Sequence, residues 1–330
     1  MKEILNRLIQ QQTLNKNEAR EVLKGLATGQ YNNSQIASFL TIYLMRSITV
    51  EELEGFRDAM LELCIPVDLE GYNAIDVCGT GGDSKNTFNI STISSFIVAG
   101  AGVNVAKHGN YGVSSVSGSS NVLESMGCKF SGDKDQMKRS MDEAGICFMH
   151  APLFHPAMKN VGPIRRELGV KTFFNMLGPM VNPSFPPNQL VGVFSLELAR
   201  LYGYLYQKSD KRFSILHALD GYDEISLTSD FKMISNDSES LISPEDMKMK
   251  KLTQSSLYGG ETVEDAREIF KNVLMNKGTE PQSSVVLANA GVAISTVKRI
   301  SVLEGVEFAK ESLQSGKALN ALKKFLEVNR

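Results

Sequence analysis

The sequence predicts an α/β protein with a small all-helical N-terminal domain, followed by a large α/β domain whose mostly parallel central sheet is flanked by helices. Residues 1–70 space their apolar residues only at helical intervals, whereas from residue 74 onward short apolar segments alternate with turns and helical stretches. Such alternation is typical of a parallel sheet covered on both faces. At 330 residues the chain is long enough for two domains.

The helical domain is predicted to span residues 1–70. Apolar side chains recur at helical spacing over residues 4–9 and again over residues 36–44. Thr49 and Glu52 form the capping-box pattern that begins a helix. A proline and a glycine then interrupt the chain, and we place the domain boundary there.

The α/β domain is predicted to span residues 71–330. Ser301 and Glu304 form a second capping box, before a helix that Gly316 ends. Short apolar segments bounded by turn residues predict the strands of this domain. These predicted strands are residues 74–78, 103–106, 190–194, 213–217, 225–228 and 284–287.

Composition limits the classes of partner. The formal net charge of -2 gives no broad attraction for nucleic acid or anionic lipid, so we expect neither a nucleic-acid nor a membrane partner. Four scattered cysteines without CxxC spacing indicate a reducing, cytoplasmic environment. The longest apolar run, residues 96–103, is too short to span a bilayer. A small molecule is therefore the expected ligand.

A glycine-rich loop, residues 79–83, follows the first predicted strand and reads GTGGD. Glycine lets the backbone adopt positive φ and approach a ligand closely, and successive N–H groups in such a turn can surround an anion. The polar segment 89–92 then begins a helix, where the helix dipole favours phosphate. The spacing matches neither the P-loop nor the dinucleotide-binding motif. The alternative interpretation is a tight strand-to-helix turn that needs glycine for its geometry alone.

A second polar loop begins with Lys107-His108-Gly109-Asn110, directly after the second predicted strand. Lysine supplies a cation, histidine and asparagine supply directional hydrogen bonds, and five serines follow between residues 114 and 120. Because ligands of open α/β sheets bind beyond the carboxyl ends of the strands, we expect both loops to meet at one crevice. The alternative is a serine-rich surface loop.

Three carboxylates, Asp220, Asp223 and Glu224, surround a glycine between two predicted strands. Such a group suits Mg²⁺ that is already partly coordinated by a substrate diphosphate. A hairpin turn rich in aspartate and glycine is the alternative. The two phosphate-binding loops favour the magnesium interpretation.

Arg165 and Arg166 lie on a helix that is predicted to begin at Pro163 and to end before Gly169. A guanidinium fork binds a planar carboxylate through two parallel hydrogen bonds, although a surface ion pair would also explain these arginines. The two histidines of the preceding segment lack a third ligand at zinc spacing, so no zinc site is predicted.

Taken together, these segments resemble the anthranilate phosphoribosyltransferases, a family that shares its fold with pyrimidine nucleoside phosphorylases. The match runs essentially from end to end, and GTGGD followed by KHGN at this spacing is highly specific to the family. The matching segments are GTGGD at 79–83, NIST at 89–92, KHGN at 107–110, SGS at 117–119, HPAMK at 155–159, RRELG at 165–169, FNMLGPMVNP at 174–183 and DGYDEIS at 220–226.

The resemblance implies an enzyme of tryptophan biosynthesis that transfers the phosphoribosyl group of 5-phosphoribosyl 1-diphosphate to the amine of anthranilate. The implied reaction is a displacement at the anomeric carbon, with no covalent nucleophile on the protein. The resemblance also implies a homodimer joined through the helical domain. A helix near residues 165–185 is a candidate to join that domain.

The family's site residues transfer onto this sequence by position. Mg²⁺ would be bound by Ser91, Asp223 and Glu224, and anthranilate by Gly79, Asn110 and Arg165. The phosphoribosyl donor would be bound by Gly79, Gly82, Asp83, Thr87, Asn89, Ile90, Ser91, Thr92, Lys107, His108, Gly109, Asn110, Tyr111, Gly112, Val113, Ser114, Ser115 and Ser119.

Two positions of the second loop depart from the family pattern. The family commonly carries arginine after KHGN and lysine after the paired serines, whereas this chain carries Tyr111 and Val116. Two cations are therefore missing from a phosphate-facing loop. Either Tyr111 substitutes by hydrogen bonding or the affinity for the donor is lower.

Two rival functions remain open at the level of sequence. A non-biosynthetic, nucleic-acid-binding relative of the same fold would need a basic surface, against which the net charge argues. A pyrimidine nucleoside phosphorylase would use inorganic phosphate as nucleophile and would have no use for an arginine that faces a benzoate.

Overall fold

The structure is a computed structural model and describes residues 1–112 and 116–330. The chain divides into two compact units. Residues 1–66 and 152–183 form the first, which we call the helical unit, and residues 67–151 and 184–330 form the second, which we call the sheet unit.

The helices and strands, in chain order, are α1 (Lys2–Ile9), α2 (Lys16–Ala27), α3 (Asn33–Met45), α4 (Val50–Glu62), β1 (Ile75–Gly79), α5 (Ile90–Gly100), β2 (Val105–Gly109), α6 (Ser119–Ser125), α7 (Lys134–Ala144), β3 (Ile146–His150), α8 (Ala151–Phe154), α9 (Met158–Leu168), α10 (Phe174–Leu177), β4 (Asn188–Gly192), α11 (Leu196–Tyr206), β5 (Arg212–Ala218), β6 (Phe231–Ser235), β7 (Glu239–Ile242), α12 (Val263–Leu274), α13 (Glu280–Lys298), α14 (Val302–Gln314) and α15 (Lys317–Val328).

The helical unit packs around a cluster of aromatic side chains. Helices α2, α3 and α4 each begin with a complete capping box, which satisfies N–H groups that the helix leaves unpaired. The rings of Phe56 and Phe173 stack with their centroids 4.5 Å apart, and Phe39 and Tyr43 contact both rings edge-on. Helix α9 packs against α2 and α3. Residues 152–183 are therefore part of the core of the N-terminal helices.

The sheet unit contains one sheet whose strands, over the described residues, lie in the order β3-β2-β1-β4-β5-β6-β7. The first five of these strands are parallel, and β6 and β7 add antiparallel at one side. Helices α5 and α13 pack against the parallel strands. The predicted fold class, a helical N-terminal part and an α/β part with a mostly parallel sheet, is confirmed. Strand order reverses between β1 and β4, which is where ligands of such sheets bind.

Two of the predicted strands are wrong. Residues 284–287 lie inside α13, a helix of 19 residues that Thr279 caps. A short apolar run rich in valine is compatible with both a strand and a buried helix. The length of the helix and its N-cap show that this run is helical. Residues 225–228 form an irregular turn in which Leu227 has a φ of +59°, a value that no strand accommodates.

Strands β3, β6 and β7 are absent from the prediction. All five residues of β3, ICFMH, are buried, so its sequence lacks the alternation of apolar and polar residues that marks a half-buried strand. In the part of the chain that the structure describes, no single helix is both long enough and apolar enough to cross a membrane. The bent pair of α13 and α14, at 116°, meets these criteria only when the two helices are taken together.

Candidate active site at the carboxyl ends of the central strands

The glycine-rich loop leaves β1 at the point where the strand order reverses. Gly79 of β1 pairs with Gly192 of β4, and the Thr80 N–H donates to the Gly192 carbonyl at 2.9 Å. The chain then turns at Gly81 and Gly82, whose φ values are +63° and +76°. An L side chain at either position would strain the backbone, so the two glycines are required by the turn.

The acidic turn packs against the same strand ends. A Cβ atom at Gly192 would collide with the Asp223 carbonyl group, and one at Gly79 would collide with the Asp223 carboxylate. The Gly81 N–H donates to Asp223 Oδ2 at 2.6 Å. The glycine-rich loop and the acidic turn, separated by 142 residues in the chain, therefore form one site.

Asp223 is buried and Glu224 is half-buried, and the two carboxylates lie next to each other in the chain. Burial, and then the charge of Asp83, raises the pKa of Asp223 to about 7. Burial and the charge of Asp223 hold the pKa of Glu224 well above its usual range. Glu224 Oε1 accepts a hydrogen bond from the Ser91 N–H at 3.1 Å, whereas Oε2 is buried and has no hydrogen-bond partner among the described residues. Such burial of negative charge is costly unless a cation compensates it.

The residues of this turn fit a hard divalent cation. Two carboxylates, together with the hydroxyl of Ser91 at the start of α5, are the oxygen donors that Mg²⁺ prefers. The unpartnered Glu224 Oε2 is the observation that supports the fit. Asp220 behaves differently, because it accepts hydrogen bonds from the hydroxyls of Thr228 at 2.5 Å and Ser229 at 2.8 Å. Asp220 therefore stabilises the turn itself.

Lys107, in the middle of β2, is only 2% exposed. Its Nζ donates to the Val77 carbonyl and, at 3.4 Å, to Ser91 Oγ. Burial lowers its pKa, and the neighbouring Cys78, Asp76 and Glu224 oppose that effect. The ammonium is thus anchored inside the protein, beside Ser91 and the acidic turn.

The second loop is closed by hydrogen bonds within the sheet unit. The Asn110 carbonyl accepts from Ser119 Oγ at 3.3 Å and from the Ser120 N–H at 3.2 Å. Asn121 Oδ1 accepts from the N–H groups of Gly112 and Gly118 at 2.9 and 3.0 Å. This amide therefore organises the loop without being part of any predicted motif.

The side chains of His108 and Tyr111 are held in place by contacts with neighbouring side chains of the sheet unit. His108 Nδ1 lies 2.7 Å from Asp76 Oδ2, and both residues are buried. The Tyr111 hydroxyl donates to Glu124 at 3.3 Å, and its ring contacts that of His150 edge-on. The Tyr111 hydroxyl is therefore already engaged with a carboxylate. A Cβ atom at Gly109 would collide with Ser119 Oγ, whereas Val116 is exposed.

Three of the predicted donor-binding residues, Val113, Ser114 and Ser115, lie outside the described residues.

The remaining predicted residues of the first loop lie between the glycine-rich turn and the first turn of α5. Thr87 pairs with Tyr258 as an isolated bridge, and Asn89 donates to the Ser117 carbonyl at 2.9 Å. Asn89 Oδ1 is buried without a partner in the described chain. Ile90 and Thr92 are buried in the first turn of α5, and Gly82 and Asp83 are partly exposed.

Arg165 belongs to the helical unit, on α9. Its Nη2 donates to Asn175 Oδ1 at 3.2 Å, and its guanidinium lies over the Phe174 ring, 5.1 Å from the centroid. Burial lowers its pKa, and no acidic partner pairs with it over residues 1–112 and 116–330. The expectation that this helix begins at Pro163 is wrong, because α9 begins at Met158 and the proline lies inside it. Arg166 is exposed.

Some residues that position the predicted ones were assigned no role from the sequence. In the sheet unit, Asn121 holds the second loop through one amide oxygen, and Gly259 accommodates the chain at Thr87. In the helical unit, Asn175, within the matched segment 174–183, holds Arg165. The only local signal for Asn121 is its position three residues after the N-cap of α6. The others depend on contacts that only the folded chain creates.

The chain matches the descriptions "Glycosyl transferase family, a/b domain" over residues 71–319 and "Glycosyl transferase family, helical bundle domain" over residues 2–64. Fold and site together therefore define a glycosyltransferase of this class. The chain is also 63% identical over 329 residues to anthranilate phosphoribosyltransferase of Flavobacterium johnsoniae, covering 100% of both chains.

Solved structures agree with this assignment. The anthranilate phosphoribosyltransferase of Thermus thermophilus superposes with a TM-score of 0.92 at 31% identity, over 99% of each chain. The enzyme of Saccharomyces cerevisiae in complex with PRPP and Mg superposes with a TM-score of 0.91 at 26% identity, over 98% of this chain and 96% of that one. The chain belongs to the anthranilate phosphoribosyltransferase family, which confirms the resemblance found in the sequence.

Proposed function

We propose that this chain transfers the phosphoribosyl group of 5-phosphoribosyl 1-diphosphate to the amine of anthranilate and releases diphosphate, a step of tryptophan biosynthesis. The observation that carries the proposal is the pair of buried carboxylates, Asp223 and Glu224, packed against the glycine-rich loop at the reversal of strand order. Acids beside a loop suited to anions are suited to a cation that bridges the two, as a diphosphate-bound metal would.

The donor would bind in the sheet unit. The residues proposed for it are Gly79, Gly82, Asp83, Thr87, Asn89, Ile90, Ser91, Thr92, Lys107, His108, Gly109, Asn110, Tyr111, Gly112, Val113, Ser114, Ser115 and Ser119. Asn89 has a buried, unpartnered oxygen for a ligand hydroxyl, and the first turn of α5 supplies N–H groups and a favourable dipole. Tyr111 already bonds Glu124, so we assign it to shaping the loop.

Mg²⁺ would be held by Ser91, Asp223 and Glu224, and it would neutralise charge on the diphosphate. The yeast relative is described with PRPP and Mg, which supports this assignment. The protein's own contribution is to hold both carboxylates in place through the Gly81 and Ser91 N–H groups. Lys107 adds a fixed positive charge beside Ser91.

Anthranilate would be held by Gly79, Asn110 and Arg165. Arg165 is the residue suited to the carboxylate, because its half-buried guanidinium is positioned by Asn175 and Phe174 and can donate two parallel hydrogen bonds. The amine of anthranilate would displace diphosphate at the anomeric carbon. Such a displacement requires positioning and stabilisation of the leaving group, so no side chain is assigned as a nucleophile.

We also propose a homodimer that joins through the helical unit, and a cytoplasmic location. Met45, Leu44 and Ile9 of that unit are 79%, 46% and 64% exposed, and such apolar side chains favour association. The cysteines at 64, 78, 128 and 147 are all free and buried, which is typical of a reducing compartment. Light scattering of the wild type and of Met45→Glu tests the dimer.

The activity is tested by mixing protein, Mg²⁺, phosphoribosyl diphosphate and anthranilate and recording the fluorescence of free anthranilate. Depletion that requires all four components is the expected result. Phosphorolysis of a pyrimidine nucleoside without depletion would contradict the proposal and favour the phosphorylase. Salt-sensitive binding of DNA without depletion would favour a nucleic-acid-binding relative.

A further inference from the structure

Lys85 lies in the loop between β1 and α5 and extends along the acidic turn. Its N–H donates to Asp83 Oδ1 at 3.0 Å, which fixes the backbone of the loop. Its Nζ lies over the ring of Tyr222, 4.6 Å from the centroid, and its Cε lies 3.8 Å from the position of a Cβ at Gly221. The ammonium group is therefore beside the residue that immediately precedes Asp223.

The two loops of the site carry few cations. Between residues 79 and 120 the sequence contains two lysines, Lys85 and Lys107, and no arginine. A ribose that bears a monophosphate and a diphosphate brings roughly four to five negative charges at neutral pH. A divalent cation compensates only two of these charges, so both lysines matter to the charge balance of the site.

The two lysines differ in burial and in the contacts that their ammonium groups already make. Lys107 is buried, and its Nζ is committed to the Val77 carbonyl and to Ser91 Oγ. Lys85 is half-buried, and within the described part of the chain its ammonium contacts the Tyr222 ring and pairs with no carboxylate. A cation over an aromatic face is held weakly enough to exchange that contact for a phosphate oxygen.

We propose that Lys85 is a further catalytic residue of the donor site, and that its ammonium pairs with the diphosphate leaving group. The proposal rests on the function proposed above. Its position next to Asp223 assigns it to the diphosphate, because the metal-binding carboxylates would hold that end of the donor. Negative charge grows on the leaving group in the transition state, so Lys85 acts on kcat as well as on binding.

Lys85→Met tests this role in the full-length protein, because methionine keeps most of the apolar stem and removes the charge. We expect kcat/KM for the donor to fall by about tenfold to a hundredfold, the loss of one charge-assisted hydrogen bond. The KM for anthranilate is expected to stay within about twofold of the wild type. Lys85→Arg is expected to recover most of the activity.

Two further measurements separate this role from a structural one. Calorimetric titration with Mg²⁺ and inorganic diphosphate is expected to show weaker binding to Lys85→Met, while the melting temperature without ligand stays unchanged. Lys298→Met serves as the matched control, since Lys298 also lies over an aromatic ring, that of Phe308, on helices outside the site. This control is expected to keep wild-type kinetics.

Unchanged donor kinetics and unchanged diphosphate affinity in Lys85→Met would overturn the proposal. A melting temperature that falls in step with activity, without rescue by arginine, would also overturn it. A wild type that does not consume anthranilate would contradict the proposed function, and the diphosphate titration would still decide whether Lys85 binds that group.

Discussion

Two regions of this protein bury carboxylates, and they do so with opposite results. Glu52 of the helical unit is 0% exposed, yet its carboxylate accepts hydrogen bonds from Arg46, from the Tyr43 hydroxyl and from the N–H groups of Leu14 and Thr49. Burial acts to raise its pKa, but these donors outweigh burial and lower it. In the sheet unit, the Gly81 N–H donates to Asp223 and the Ser91 N–H donates to Glu224, yet the pKa values of both carboxyl groups are raised.

The two regions therefore differ in how a buried negative charge is compensated. The protein's own donors compensate the charge of Glu52, whereas a bound ligand would compensate the charges of Asp223 and Glu224. Glu52 caps α4 and joins three segments of the helical unit, so its charge contributes to stability. The hydrogen bonds and the Lys107 charge near Asp223 and Glu224 do not outweigh burial, so a bound cation would stabilise their ionised forms further. Functional sites commonly tolerate such local cost.

The double substitution Asp223→Asn with Glu224→Gln is expected to have the largest effect. It removes both charges that we assign to Mg²⁺, so kcat/KM for the donor is expected to fall by about a hundredfold to a thousandfold. The melting temperature without ligand is expected to stay the same or to rise, because buried charge is lost. Steady-state kinetics and thermal melts measure the two quantities.

Asp237→Asn, an exposed acid in the β6–β7 turn, is the control and is expected to leave both quantities unchanged. Retention of activity and of the Mg²⁺ requirement by the double variant would return the acidic turn to a purely structural role.

Glu52→Gln is expected to show the reverse pattern. It leaves the buried Arg46 without its partner charge, so the free energy of unfolding is expected to fall by about 3 to 5 kcal/mol. The rate at a temperature well below the melting point is expected to stay near that of the wild type. Glu51→Gln, the exposed neighbour on α4, is the control. If Glu52→Gln lost catalysis without losing stability, Glu52 would behave like Asp223 and Glu224, and the contrast between the two regions would be contradicted.

Asn175→Ala extends the comparison to a half-buried cation, Arg165. Arg165 would lose the amide that holds it, so the KM for anthranilate is expected to rise by about threefold to tenfold. The KM for the donor is expected to stay constant. Asn160→Ala, on the same helix as Arg165, loses a hydrogen bond to the Ala27 carbonyl instead and is the matched control. Equal effects of both variants on KM would show that Asn175 acts through stability alone.

The dependence of stability on pH is expected to be the smallest effect. The pKa of Glu52 is lowered in the folded state, so its contribution is present above the unfolded value near 4.3 and is lost only as the pH falls further. The pKa values of Asp223 and Glu224 are raised, so their contribution is present at low pH and is lost as the pH rises, for Asp223 through about 7.

Thermal melts without Mg²⁺ from pH 5 to 7.5 distinguish these two dependences of stability on pH. The gap between the wild type and Glu52→Gln is expected to stay constant over this range. The stability of the Asp223→Asn, Glu224→Gln variant relative to the wild type is expected to increase with pH, by at most about 1.4 kcal/mol per pH unit for each group. Parallel curves for all three proteins would contradict the assigned shifts.

Much of the fold and part of the site were predictable from local patterns. The capping box of Thr49 and Glu52, the glycine-rich loop after β1 and the start of α5 each depend on neighbours in sequence, and the structure contains all three. The helix over 284–287 and the turn over 225–228 were predicted wrongly, because a short apolar run has no period of its own.

The sequence by itself determined the fold class, the capped helices and the residue types of the phosphate loops, since capping, glycine conformations and alternation act over a few residues. Only the tertiary structure decided which acidic side chains have enough hydrogen-bond donors to stabilise their charge and which do not. Asp220 bonds Thr228 and Ser229, whereas Asp223 reaches Gly81 across 142 residues of chain. Burial and partners, which set a carboxylate's pKa, exist only once the strands have brought these segments together.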